Sequence, residues 1–444
     1  MAIIAQKKLF GWKEIEELGD LDRLRLVLQW LPDEPLMQAL EHKRGKGRDE
    51  YPVRGIWNTV IAGVVFGHPS VQSLRRELRR NAQLRDVCGL ELGKGLAAVP
   101  PPYAYSRFLK NLINHQHHIQ GIFESLVDEV QVELADLGRV MAVDGKGIDT
   151  HARGRKKDPE QEREPPDGRR DTDADWGMKT YKGENEDGSS WETVKSWFGY
   201  KLHLLVDARY ELPLAFKLTK ASPGEAPIAH QLLDHLENRH PELLEACEYL
   251  DADRGYDDGK LISRLWNRHE IKPVIDIRNA WKDGEETKLV SGCENIVYDY
   301  KGQVYCVAPC KNEIQREMAY GGFEKDRQSL KYRCPARHYG YDCEGRGKCP
   351  VKTSVRIPLS EDRRVFTPLA RSSYAWARMY KKRTAVERVN SRLDVSFGFE
   401  EHFIRGLAKM RLRCSLALCV MLAMALGRIR ENQKPLMRSL VRTA

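Results

Sequence analysis

At 444 residues the chain is too long for one simple core and points to two or three domains. Hydrophobic content of 41% and charged content of 31% describe a soluble globular protein and exclude the disordered class. Net charge is +9, yet residues 361–444 alone hold 18 Lys/Arg against 7 Asp/Glu, so the basic surface is concentrated in the final fifth. Nucleic acid is the natural polyanionic partner for such a surface, the plainer alternative being a solvated pair of basic helices.

The opening stretch MAIIAQKKLFGWKEIEELGD has no apolar run of signal-peptide length. Ten cysteines without an export signal imply free thiols in a reducing, cytoplasmic compartment. GIWNTVIAGVVF, the break GHPS and VQSLRRELRR read as helix, turn, helix, with Ser70 as N-cap. Arg75, Arg76, Arg79 and Arg80 on the second helix can enter a groove or clamp phosphates, or simply coat a helical bundle. PPPYAYSRF is a stiff connector to the next helix.

The middle of the chain alternates. GRVMAVDGKGI (138–148) is a buried strand ending in Asp144, followed by a highly charged loop. GYKLHLLVD (199–207) and ELPLAFKLT (211–219) form a hairpin. Ser222-Pro223-Gly224-Glu225 reads as a capping box with proline at the first helical position, opening EAPIAHQLLDHLEN. CEYLDADRGYD (247–257) is a strand ending in acids, DGKLISRLWNRH a helix, and IKPVIDI (271–277) the fifth strand. His203, within a strand, is expected to be structural. Farther on, in YKKRTAVERVNSRLD (380–394), helical spacing puts Tyr380, Arg383, Glu387 and Asp394 on one polar stripe. Val386, Val389 and Leu393 fall on a neighbouring apolar one that can dock on a sheet. CSLALCVMLAMALG (414–427) is too short for a bilayer span and predicts a buried helix.

The acids sit at element ends: Asp144, then Asp251 and Asp253, then Glu387. In a mixed sheet of this order the first and fourth strands lie side by side and their carboxyl ends meet. Three carboxylates in one place repel unless a cation holds them, and hard divalent ions do so. Two such ions about 4 Å apart activate a water or a 3′-hydroxyl and stabilise the leaving oxygen of a phosphodiester.

AVDGKGI, DADRGYD and the pattern Tyr380-x2-Arg383-x3-Glu387 together resemble the catalytic segments of bacterial insertion-sequence transposases of the DDE class, with an RNase H-like catalytic domain and a Y-R-E-K signature. The resemblance covers roughly Arg139 to Arg430, and a helical amino-terminal region is also typical of the group. It implies Asp144, Asp253 and Glu387 as catalytic ligands of Mg²⁺ or Mn²⁺, with Asp251 on the same side of its strand as the alternative second aspartate. Tyr380 and Arg383 are implied at the DNA backbone beside the scissile phosphate. The signature's lysine position holds Asp394, which shifts the expected phosphate contact to Arg388 or Arg392. The implied partners are the element's terminal inverted repeats and target DNA, bound by a homodimer, with no membrane association. The implied reaction is hydrolysis at the element ends and transfer of their 3′-hydroxyls to target DNA; a catalytically inert DNA-binding derivative and a nuclease of the same fold are the alternatives.

The expected architecture is α/β: an RNase H-like mixed sheet flanked by helices. Residues 1–136 form a helical DNA-binding and assembly region, and 137–277 the first part of the catalytic domain with a charged loop at 151–197. Residues 278–369 are a cysteine-containing insertion between the fifth strand and the glutamate-bearing helix, and 370–444 complete the domain. Within the insertion, Cys306, Cys310, Cys334, Cys343 and Cys349 resemble zinc-ribbon knuckles loosely, since two-residue spacing is missing; structural Zn²⁺ and free thiols both remain open.

Overall fold

The computed structural model describes residues 19–46, 50–154, 170–185, 189–307, 315–347 and 349–440. Among the described residues seven α-helices come first: α1 (Leu21–Trp30), α2 (Glu34–Arg44), α3 (Val53–Val65), α4 (Val71–Arg80), α5 (Ala82–Val87), α6 (Pro102–Asn114) and α7 (Gln116–Glu133). Ser70 caps α4, accepting the Ser73 N–H at 3.2 Å, as its sequence predicts. This helical region is not a separate body. Its apolar faces share one core with the sheet and with the long helix near the carboxyl end.

The sheet contains β1 (Val140–Asp149), β2 (Asp175–Glu184), β3 (Ser190–Asp207), β4 (Pro213–Lys220), β5 (Tyr249–Ala252) and β6 (Lys272–Ile275). Its body runs β4-β3-β1-β5-β6, with β3 antiparallel to both neighbours and β1, β5 and β6 mutually parallel. The five strands read from the sequence are all present, and β1 lies beside β5 as their order requires. Helices α8 (Glu225–Arg239), α9 (Pro241–Ala246) and α10 (Gly259–His269) make the crossovers.

Three local expectations give way. Residues 155–169 of the charged loop lie outside the described residues, but the later part of that stretch is β structure. There β2 pairs with the first half of β3, from Asp175↔Gly199 to Glu184↔Ser190. Because β1 ends opposite Gly199, this two-stranded ribbon runs past the sheet and leaves Met178, Trp191 and Val194 exposed. Ser222 does not cap α8: its hydroxyl and N–H both engage Asp175, and the helix begins at Glu225 with Gly224 as N-cap. Residues 380–394 are not one α-helix. After α12 (Tyr374–Tyr380) the chain tightens to a 3₁₀ turn at Lys381–Arg383 before α13 (Thr384–Phe397), a helix end where such turns are common.

Between β6 and α12, residues 278–369 form two small antiparallel sheets around their own core. One is β7 (Thr287–Leu289), β8 (Ile296–Asp299), β9 (Val304–Val307) and β10 (Gln315–Glu317); the other is β11 (Ala319–Glu324), β12 (Ser329–Arg333) and β13 (Ser354–Pro358). A last long helix, α14 (Leu407–Arg430), is apolar all round in its middle. By length and composition it passes for a membrane span, but 83% of its most apolar window is buried, against α7, α1, α3 and β4.

Candidate active site

Two parallel strands bring the first acids together. Ala142 on β1 sits opposite Asp251 on β5, so Asp144, two residues on, falls level with Asp253 just past the end of β5. Asp253 is held there by its own turn: its Oδ1 accepts the Gly255 N–H at 2.7 Å. Asp144 accepts the N–H of Gly145 at 2.8 Å. Between the two carboxylates reaches Lys179 of the β2–β3 ribbon, its Nζ 3.9 Å from Asp144 and 3.8 Å from Asp253. A cationic position shared by Asp144, midway along β1, and Asp253, just past the end of β5, is therefore built into the fold.

A third carboxylate stands behind them. Glu225, the first residue of α8, is packed so close to both aspartate segments that a Cβ on Gly255 would lie 1.9 Å from its Oε2, and one on Gly145 3.1 Å from its Oε1. A side chain at 255 would displace the Glu225 and Asp253 carboxylates. Lys201 approaches Glu225 at 3.8 Å. Burial raises the Glu225 carboxyl, and Asp253 raises it further. Asp144 is likewise raised, by burial first, with Lys179 opposing and Asp253 adding to the shift. The hydroxyl of the fully buried Tyr256 faces Asp144, Glu225 and Asp253 without a hydrogen-bond partner. Crowded oxygen donors raised by burial and by one another, beside an orphaned hydroxyl, suit a hard divalent cation such as Mg²⁺.

Asp251 has a different environment. It is wholly buried, neither carboxylate oxygen has a partner, and burial pushes it up to about 8 against the pull of Lys382 and Arg383. It is thus neutral at pH 7, beneath the strand end rather than at it.

The helix α13 docks as its pattern predicts, with Val386, Val389 and Leu393 buried to zero exposure. Its polar stripe faces the acids from the side. Arg383 binds Glu387 at 2.8 Å, lies 5.7 Å over the Tyr380 ring and is close enough to Asp144 to lower its pKa. Tyr380 stacks flat on Trp376 at 4.8 Å. Glu387 is half-exposed, so the structure brings Asp144 and Asp253 together and holds Glu387 one arginine away. Asp394 accepts from Lys146 of β1 at 2.6 Å.

The other expected DNA contacts are distributed. Arg388 binds Glu211 at 2.6 Å and Arg392 binds it at 2.9 Å, joined there by Arg438 at 3.0 Å, so this cluster ties α13 to the β3–β4 turn. On α4, Arg75 donates to the Pro100 carbonyl at 2.9 Å, while Arg76 and Arg79 are exposed. Cys310 lies outside the described residues. Among those described, Asp128, His240 and Glu242 also come within 4.8 Å of one another, before β5 begins; the 2.8 Å bond from Asp128 to the His240 ring accounts for that grouping without an ion.

Lys179, Glu225 and Tyr256 are the site residues that sequence reasoning missed. Tyr256 carried a signal, since it falls within DADRGYD. Glu225 looked like any acid in a first helical turn, and Lys179 lay in a stretch read as loop.

An RNase H-like sheet with an aspartate within β1 beside one just past the end of β5, and a glutamate on a later helix, is the arrangement expected of DDE nucleic-acid-processing enzymes. Residues 136–423 match the family model described as "Transposase DDE domain", and residues 13–111 that described as "Transposase domain (DUF772)". The first match spans more than half of the chain, which therefore belongs to the DDE transposases of insertion sequences. No match was found among curated proteins or among solved structures.

Proposed function

We propose that this transposase cuts DNA at the ends of its element and joins the resulting 3′-hydroxyls to target DNA, with Asp144, Asp253 and Glu387 as its catalytic carboxylates. The observation that carries this is the convergence of Asp144 and Asp253 on one cationic position, at 3.9 and 3.8 Å from the Lys179 amine, beside the basic 361–444 segment. Asp144 and Asp253 would hold Mg²⁺ or Mn²⁺, which would supply the charge that activates a water or 3′-hydroxyl and stabilises the leaving oxygen. Lys179 turns from the carboxylates to a DNA phosphate as the site fills. Arg383 exchanges Glu387 for the scissile phosphate, which it grips with two N–H groups, and Glu387 is then free to complete the carboxylate set. The Tyr380 hydroxyl adds a hydrogen bond to the same strand. Asp251, buried and neutral, supports the strand end and takes no part in binding cation. The ends engaged are the element's terminal inverted repeats, paired by two copies of the chain.

The test supplies purified protein with labelled DNA carrying one element end and a supercoiled target plasmid. Labelled strand covalently joined to the plasmid is the expected product. Cutting without joining would assign a nuclease of this fold, and binding with neither would assign an inert derivative.

A further inference from the structure

Four cysteines of the 278–369 insertion converge from three separate segments. Cys306 lies on β9, Cys334 directly follows β12, and Cys343 and Cys349 flank a short 3₁₀ turn at Glu344–Gly347. Contacts at or near these cysteines draw the segments together. The buried Asn295 donates its side-chain amide to Cys306 Sγ at 3.7 Å and to Cys349 Sγ at 3.6 Å, which puts these two sulfurs on either side of one nitrogen. Arg316, opposite Cys306 in the β9–β10 register, lies 4.5 Å over the ring of Tyr341, drawing the loop of Cys343 across β9. Cys334 donates its N–H to the Thr353 carbonyl at 3.0 Å, which holds it beside the segment leaving Cys349. The Cys306 thiol is pushed up to about 11, by burial first and then by Cys349, Cys334 and Cys343 around it. All nine cysteines among the described residues are free thiols.

We propose that Cys306, Cys334, Cys343 and Cys349 form a structural zinc site that clamps the two small sheets of the insertion together. Four sulfurs with no carboxylate among them are the donor set of a closed tetrahedral zinc centre rather than of a hard cation. Among the described residues no three of these sulfurs lie within 4.8 Å of one another, whereas a filled tetrahedron with Zn–S bonds of about 2.3 Å has sulfurs about 3.8 Å apart. The four sulfurs therefore close in on one another as the metal binds. On binding, each thiol releases its proton to solvent and its sulfur forms one Zn–S bond. The Asn295 amide is already placed to donate to the resulting thiolates, the role that outer hydrogen bonds play at metal centres. Cys293 shares the insertion but stands apart, its thiol facing Glu361. The zinc joins β9 of one sheet to the end of β12 of the other and sits outside the acidic site, so it acts on the shape of the insertion and not on phosphodiester chemistry.

The experiment measures metal in the full-length protein purified from zinc-supplemented cells, then exchanges it for Co²⁺. About one zinc per chain is expected, with intense thiolate-to-cobalt bands in the near ultraviolet, the mark of tetrahedral sulfur ligation. Cys306→Ser and Cys349→Ser should each lose the metal, while Cys293→Ser keeps it. Because a variant that misfolds also loses metal, the wild-type protein provides the second readout: four thiols protected from a thiol reagent, all released by a strong chelator. A folded, DNA-binding protein that carries no metal and whose insertion thiols all react at one rate would overturn the proposal. So would Cys293→Ser losing the metal as completely as Cys306→Ser.

Discussion

Replacing Lys179 by alanine removes the one positive charge shared by Asp144 and Asp253. At separations of 3.9 and 3.8 Å each attraction is worth about 1 kcal/mol in water and about 4 at an effective dielectric of 20. The lysine is 38% exposed while the aspartates are 10% and 20% exposed, so about 1–2 kcal/mol per contact is the reasonable scale. A divalent cation entering this position must first displace the amine. Lys179→Ala should therefore tighten Mg²⁺ binding by roughly 5- to 30-fold, the equivalent of about 1–2 kcal/mol, with the remainder of the gain lost to protons that bind the bared carboxylates. The metal-free protein should at the same time melt at a lower temperature, because two crowded acids lose their partner. A Mg²⁺ titration followed by thermal denaturation reads both effects without depending on turnover. Unchanged Mg²⁺ affinity together with an unchanged metal-free melting temperature would refute the placement of Lys179 at the cation position; so would weaker Mg²⁺ binding.

Arg383→Ala removes the 2.8 Å partner of Glu387, a side chain 20% exposed, and none of the apolar packing of Val386, Val389 and Leu393. Its melting temperature should move little, since i,i+4 pairs contribute about 0.3–0.5 kcal/mol, while the log–log salt slope of DNA binding should shrink by about one. Val389→Asp, at a fully buried position of the same helix, should unfold the domain, and a folded Val389→Asp would undo the assignment of the two stripes. His203 is buried on β3, with its Nε2 3.1 Å from the Thr219 hydroxyl, and burial drives its pKa down to about 3. A depressed histidine favours the neutral form in the folded state, so its stability is fully present above about pH 6.5 and is lost as pH falls toward 3. Between pH 7 and 4.5 that loss is roughly 2–3 kcal/mol, and His203→Gln should lack it in denaturant titrations at the two pH values. Equal acid sensitivity of the two proteins would mean that another group carries it.

Much of this fold was legible because its strands are short apolar runs that stop at acids or turns. CEYLDADRGYD buries one strand and then releases Asp253, whereas GRVMAVDGKGI runs on as strand to Asp149 and leaves Asp144 within β1 rather than at its end; the order of elements was enough to set the two strands side by side. The apolar stripe of α13 was legible for the same reason: Val386, Val389 and Leu393 obey one period and face one neighbour. The ribbon of β2 and early β3 left no such trace, since it runs beyond the sheet with both faces wet and so has no buried side to impose alternation. Strand periodicity alone cannot separate Asp251 from Asp253, which point the same way. What separates them is where β5 ends: Asp251 lies inside the buried strand and Asp253 in the turn that Gly255 closes. Nor does a sequence say that Arg388 and Arg392 are bound to Glu211, which is 177 residues from Arg388 along the chain. The cysteines show the converse, with spacings that match no ribbon pattern and yet a shared location.

The most direct test of the acidic site is single-turnover nicking of an element-end DNA by four variants, Asp144→Asn, Asp253→Asn, Glu387→Gln and Asp251→Asn, at saturating Mg²⁺. DNA binding at matched salt serves as the control for folding. Expected is loss of nicking for the first three with binding largely retained, because each removes a ligand charge that meets the cation and not the duplex. Asp251→Asn should still nick, since Asp251 is already neutral at pH 7 and its replacement is nearly isosteric. Asp253→Asn that nicks at the wild-type rate while Asp251→Asn does not, or Glu387→Gln with undiminished nicking, would contradict the site described above.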